Sequence, residues 1–108
     1  MAFKSKATPN IGVVASPTVV SDTVAAGATH VIVGLSLATT GTAMVTASVK
    51  LNKNGGNSVF LIKDAIIPLG GAFVPVGSDQ KVVLEAGDTI TAYASQANAV
   101  DAALSYLV

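Results

Sequence analysis

The chain has 108 residues, no cysteine and a formal net charge of zero, and all six of its basic residues are lysine. These numbers predict a single domain without disulfides, thiolate metal sites or a cysteine nucleophile. They also argue against nucleic-acid binding, because no basic field is available to release counterions. Only 11% of the residues are charged, against about 25% in ordinary soluble domains, which favours an obligate oligomer or a coat component over a monomer with a Thr/Ser/Asn-rich surface.

Residues 1–16 show no hydrophobic period, and Pro9 and Pro17 block the hydrogen-bond ladder of a central strand. We therefore expect an extended N-terminal arm over residues 1–16, followed by a folded domain over residues 17–108. Lys4 and Lys6 precede no apolar signal-peptide segment. No run reaches the roughly 18 apolar residues of a membrane span, so no membrane association is predicted.

The first half of the domain alternates apolar and polar residues with a period of two, which is typical of strands with one buried face. Four strands are predicted there: Thr18–Val24, His30–Ala38, Thr42–Lys53 and Ser58–Ile67. Inward positions are assigned to Val31, Val33, Leu35 and Leu37 in the second strand, and to Ala43, Val45, Ala47, Val49 and Leu51 in the third. The segment Asn54-Gly55-Gly56-Asn57 predicts a hairpin loop, because Gly and Asn tolerate positive φ.

The fourth strand departs from the alternation, with apolar residues running consecutively through 59–62 and again through 65–67. A strand that is apolar on both sides needs cover on both sides. In a two-layer sandwich the core covers only one of them. The second cover is therefore expected to be the N-terminal arm, another subunit or a partner.

The remaining residues predict four more short strands: 72–76, 79–84, 89–95 and 100–108. Turn signals recur every 8–12 residues or so, and no helical period is present. The fold class predicted is all-β, an antiparallel β-sandwich of about 7–8 short strands, with a jelly-roll or an Ig-like strand order.

Few residues suggest catalysis. His30 is the single histidine and lacks a second His or Cys to share a metal, so it is predicted to be a surface or interface residue. Asp79, Glu85 and Asp88 flank one strand and are weak candidates for a carboxylate pair or a calcium site. The favoured interpretation is that Asp79 and Asp88 bond nearby backbone N–H groups. We predict no catalytic residue, no metal and no cofactor.

Several segments resemble small virion proteins of tailed bacteriophages: residues 70–72 leading into DQKVVLEAGDTI at 79–90, the last segment at 100–108, and the pairing of 49–53 with 61–64 across a hairpin. The Leu-x-x-Gly-Asp-x-Ile pattern at 84–90 also occurs in trimeric tumour-necrosis-factor-like jelly rolls. The resemblance covers roughly residues 30–108. It implies a non-enzymatic structural protein of the phage particle, assembled in the bacterial host cytoplasm.

The function expected from this resemblance is that of a capsid decoration or cement protein, a homotrimer bound to the major capsid protein or another virion protein. A neck, tail or fibre component for host attachment and a carbohydrate-binding β-sandwich are the alternatives. The fourth strand is expected to form the subunit contact, with help from the arm and from the outward side of the second strand. The predicted interface residues are Phe3, Ile11, Val13, Ile32, Val59, Phe60, Leu61, Ile62, Ile66 and Ile67.

Overall fold

A computed structural model describes residues 2–77 and 81–108. Within them the chain is all-β, and every strand pairing is antiparallel. The strands are β1 (Phe3–Thr8), β2 (Thr18–Val19), β3 (Thr29–Thr39), β4 (Val45–Asn52), β5 (Ser58–Ile67), β6 (Ala72–Val76), β7 (Val82–Glu85), β8 (Thr89–Ala94) and β9 (Val100–Leu107). The described part of the chain contains no helix long and apolar enough to cross a bilayer.

Two sheets pack together to form the sandwich. The front sheet has the order β1-β9-β3-β6, and β7 pairs with β3 on the same side as β6. The back sheet has the order β2-β8-β4-β5. Successive strands cross between the sheets except at the β4–β5 hairpin and between β6 and β7. With β6 and β7 sharing one edge position, this is the strand order of a jelly roll, one of the two orders that the sequence left open.

The core lies between the sheets and is built from the alternating inward residues. β9 contributes Val100, Ala102, Leu104 and Tyr106, while β4 contributes Val45, Ala47 and Val49. The inward assignment predicted for the third strand is correct for these three residues. Leu51 is half-buried, and Ala43 precedes the strand and is exposed.

β-Bulges explain where the simple alternation fails. The inward residues of β3 are His30, Ile32, Leu35 and Leu37, because the register against β9 shifts between Ile32 and Gly34. The predicted inward positions of Val31 and Val33 are therefore wrong. A bulge adds one residue to one strand of a pair, so beyond it the other set of alternating residues faces inward.

The first apolar run of β5, residues 59–62, has the same cause. The register of β5 against β4 shifts twice, once opposite Val49–Lys50 and once opposite Ala47–Val49. As a result Leu61 and Ile62 both pack against the core although they are consecutive. The bulges remove the need for a second cover at Leu61 and Ile62, whereas Val59, Phe60 and Ile66 remain exposed, so a further cover for these three residues stays a prediction.

The extended N-terminal arm is not confirmed. Residues 3–8 form β1, an edge strand of the front sheet paired with β9. Ile11 follows in the β1–β2 loop and is fully buried in the core. Its backbone is fixed on both sides, because Ile11 N–H donates to the Val100 carbonyl at 2.9 Å and its carbonyl accepts from Asn98 N–H at 3.2 Å. The first predicted strand is reduced to Thr18–Val19.

Candidate functional site

A row of four apolar side chains crosses the outer face of the front sheet. The antiparallel register pairs Phe3 with Leu107, Leu107 with Val31, and Val31 with Val83. Directly paired residues project to the same side of a sheet, so the four side chains are neighbours. Phe3 is 79% exposed and Val83 50%, while Leu107 and Val31 are half-buried. We call Phe3, Leu107, Val31 and Val83 the apolar row.

The rest of this face is small and uncharged. Beside the apolar row, Ser5 pairs with Ser105, and Ala7 pairs with Ala103, which in turn pairs with Ser36. Beyond them the outward positions are Ala38, Ala72 and the exposed Val74. Asp101 and Glu85 are charged outward residues at its margins, and the exposed Lys81 directly precedes β7. We call this surface, including the apolar row, the front face.

The outer face of the back sheet has a different chemistry. Its polar side chains bond one another: the Asn52 amide donates to Thr89 Oγ1 at 3.3 Å and to Thr91 Oγ1 at 3.0 Å, and Ser58 Oγ donates to Asn52 Oδ1 at 2.9 Å. The Phe60 ring lies 5.2 Å from Lys50 Nζ, within cation–π range. This back face therefore already satisfies much of its own polar surface.

The structure separates the predicted interface residues into three groups. Ile11, Ile32 and Ile67 are fully buried in the chain's own core, so their side chains do not lie on the surface of the folded copy. Leu61, Ile62 and Val13 are half-buried. The exposed members are divided between the sheets: Phe3 lies on the front face, whereas Val59, Phe60 and Ile66 lie on β5 at the edge of the back sheet.

Three members of the apolar row were missed by the sequence reasoning. Leu107 and Val83 were given no role, and Val31 was assigned to the core. The row is defined by strand order and register, which bring together residues far apart in the chain. No local pattern contains that information. The signal that was available is the scarcity of charged residues in the chain as a whole.

The acidic cluster has a structural arrangement. Asp88 is almost fully buried and accepts the backbone N–H groups of Glu85 and Asn54, each at 2.9 Å. Lys53 Nζ lies 2.5 Å from Asp88 Oδ2 and 3.2 Å from Glu85 Oε1. The pKa of Asp88 is lowered to about 2, mainly by the Lys53 ammonium and secondly by these backbone N–H groups. Asp88 thus ties the β4–β5 hairpin to the β7–β8 turn, as the backbone-bonding interpretation expected, while Asp79 lies outside the described residues.

His30 is buried, so the prediction of a surface histidine is wrong. Its ring stacks on that of Tyr106, with 4.8 Å between centroids and an interplanar angle of 18°. The Tyr106 hydroxyl donates to the Asp22 carboxylate. This hydrogen bond, and secondly burial, raise the pKa of Tyr106. Asp22 in turn lies 3.7 Å from Lys6 Nζ of β1. The histidine therefore packs beside a series of polar contacts that runs from Tyr106 through Asp22 to Lys6 of β1.

The described residues show no pocket and no group of three or more metal-ligating side chains. The front face is therefore considered as a surface for recognition by another macromolecule. The chain matches no protein-family model, no curated protein and no solved structure.

Proposed function

We propose that this chain is a structural component of a bacteriophage particle, most simply a capsid decoration protein, whose copies associate through the front face. The observation that carries the association is the uncharged front face with its apolar row. The phage setting is supported by the resemblance in residues 30–108. Jelly rolls are also common among viral capsid domains, which is an analogy at the level of the fold.

The proposed occupant of the front face is another copy of the same chain. When identical charged surfaces come together, like charges face one another, and their repulsion opposes association. The central front face carries no charge, so this cost is absent. Its Ser and Ala side chains are short and permit close approach, while the apolar row supplies area to remove from water. A nucleic acid or an acidic partner would require a charged surface instead.

The size of the front face is informative. Its width is four strand positions at a spacing of about 4.8 Å. Its length is that of strands of six to eight residues at a rise of about 3.3 Å per residue. The area of the front face is therefore roughly 400–500 Å² per copy. A standard specific interface uses about 800 Å² per partner. The front face therefore supplies about half of a stable contact. A second contact is needed, either between the copies or from the particle surface.

Two matched valines test the location of the contact. Val83 on the front face is 50% exposed and Val59 on β5 is 55% exposed, so both accept aspartate at similar structural cost. We expect the purified protein to be a salt-resistant trimer by light scattering. Val83→Asp should lower the mass, because each copy would then bring a carboxylate into an apolar contact. Val59→Asp should leave the mass unchanged, and circular dichroism checks that both variants fold.

The outcomes separate two hypotheses about the contact. If Val59→Asp dissociates the oligomer and Val83→Asp does not, the contact lies on β5, where the sequence had placed it. A wild-type protein that remains a monomer at all concentrations contradicts the proposal of self-association. The particle-level test is the copy number in purified virions by quantitative mass spectrometry. A decoration protein approaches the capsid protein in abundance, whereas a neck or tail part is present in few copies.

A further inference from the structure

The strand β1 is weakly attached to the rest of the fold. None of residues 2–8 is buried. Within the described residues the strand pairs with β9 alone, and the Lys6 side chain attaches it to the Ser21 carbonyl at 3.0 Å and to Asp22 at 3.7 Å. At its end the Thr8 hydroxyl is buried without a hydrogen-bond partner. β1 is therefore held mainly by backbone hydrogen bonds, which any identical strand can replace.

The chain changes from weakly to firmly attached within three residues. Asn10 has φ of +58°, a left-handed conformation that costs energy for a residue other than glycine. Ile11 is then fully buried, and Gly12 N–H donates to Thr18 Oγ1 at 2.9 Å. The Pro9–Asn10 segment thus separates a strand without core anchors from a loop that is part of the core. Asn10 N–H donates to Asp101 Oδ1 of β9 at 3.0 Å, so a change of backbone angles on the β1 side of Asn10 would redirect β1 and leave Ile11 in the core.

We propose that β1 is exchanged between copies, so that the β1 of one copy pairs with the β9 of the next. An exchanged strand makes the same pairs with β9 and the same Lys6 contacts as in the single chain, which is why exchange between identical chains costs little. A foreign strand would lack the lysine that faces Asp22. The exchange also returns Phe3, Ser5 and Ala7 to the front face, so the proposed association surface stays complete.

Exchange provides the second contact that the front face alone lacks. This inference goes beyond the proposed function and does not depend on the phage setting. If each copy gives its strand to one neighbour and receives a strand from another, the contact is head-to-tail, and it forms a ring when the rotation between copies closes. A ring of three copies agrees with the trimer expected above.

Paired cysteines distinguish exchanged from unexchanged strands, since the chain has no cysteine of its own. Ser5 and Ser105 are direct cross-strand partners on the exposed side of the sheet. Cross-strand Cα atoms lie about 4.5–5.5 Å apart, within disulfide range. The test variant is Ser5→Cys/Ser105→Cys. The matched control is Ser36→Cys/Ala103→Cys, which bridges β3 and β9, two strands that stay in one chain whether or not β1 is exchanged.

Both variants are oxidised as assembled protein and run on a denaturing, non-reducing gel. We expect the test variant to form mostly covalent multimers, up to the trimer, and the control to remain a single chain. Single-cysteine variants measure random cross-linking, which should be several-fold weaker. A test variant that gives mostly intrachain disulfide overturns the exchange. If that result comes from protein that is oligomeric by light scattering, the front-face contact stands without exchange. If the protein is a monomer, both proposals fall.

Discussion

Replacing Ile11 with alanine tests most directly whether the β1–β2 loop belongs to the core. The sequence placed Ile11 in an arm that contacts other molecules, whereas the structure buries its side chain completely in its own chain. The two assignments predict different thermodynamics. A core residue affects the free energy of unfolding of every molecule, at any protein concentration. An interface residue affects only the association.

The magnitude follows from the atoms removed. Ile11→Ala deletes three carbons, worth about 2.4 kcal/mol at about 0.8 kcal/mol per buried carbon. A cavity term adds to this, and measured Ile-to-Ala changes in cores reach about 2–5 kcal/mol. Ile11 is hydrogen-bonded through its backbone to Val100 and Asn98, so the loop cannot easily move inward to fill the space. We therefore expect about 3–4 kcal/mol.

The assay is urea unfolding at two protein concentrations at least tenfold apart, with Val14→Ala as the control. Val14 lies in the same loop and is exposed, so its truncation should change the free energy of unfolding by less than about 0.5 kcal/mol. If Ile11→Ala behaves like the control, or its cost disappears at the lower concentration, the core assignment of this loop is refuted.

Three further predictions concern the polar contacts and one turn. Asp88→Asn should remove the part of the pH dependence of the free energy of unfolding that comes from Asp88. The pKa of Asp88 is about 2 in the folded protein against 3.8 ordinarily. The ion pair of the wild-type protein therefore stabilises the fold above about pH 4, and this stabilisation is lost as the pH falls through about 2. Urea midpoints from pH 6 to pH 2 measure this difference in slope. Gly87→Ala should cost at least about 1–2 kcal/mol, because Gly87 has φ of +85°. Gly55→Ala, with open space around its Cβ position and no positive φ, should be near neutral. Tyr106→Phe should lower the free energy of unfolding by about 1 kcal/mol, since it loses the bond to Asp22 but retains the ring stacking on His30.

Each of these predictions has a contradicting result. Equal acid sensitivity of wild-type protein and Asp88→Asn would mean that the Lys53 contact does not hold the carboxylate ionised. Equal midpoints for Gly87→Ala and Gly55→Ala would remove the conformational argument at the β7–β8 turn. A Tyr106→Phe variant as stable as the wild type would show that water replaces the lost bond without cost.

The elements that the sequence predicted well are those whose pattern is local. β4 and β9 each alternate with a period of two, and their inward residues follow from that period alone. β5 and β6 have the predicted bounds, because glycine and proline mark their ends. The glycine-rich hairpin after β4 is likewise formed, with Gly56 at φ of +99°. These features depend on neighbours in the chain.

The features that could not be predicted depend on pairing between distant segments. The bulge in β3 lies between Ile32 and Gly34. It adjoins the run Val31-Ile32-Val33, in which every residue is apolar and any of them could face inward. Ile11 belongs to a stretch without period, and its burial depends on the position of β9. The candidate site also combines β1, β3, β7 and β9, so its composition follows from topology. The shortage of charged residues indicated that such a surface exists but not where.

The two ends of the described chain lie side by side: Ala2 and Val108 exchange backbone hydrogen bonds of 3.0 and 2.9 Å. A short peptide joining residue 108 to residue 2 would therefore close the chain into a loop, and a new opening at the exposed Gly55–Gly56 turn would leave every strand paired. In such a circular permutant β1 is covalently continuous with β9. The permutant should still fold, but its first strand would be confined to its own sheet.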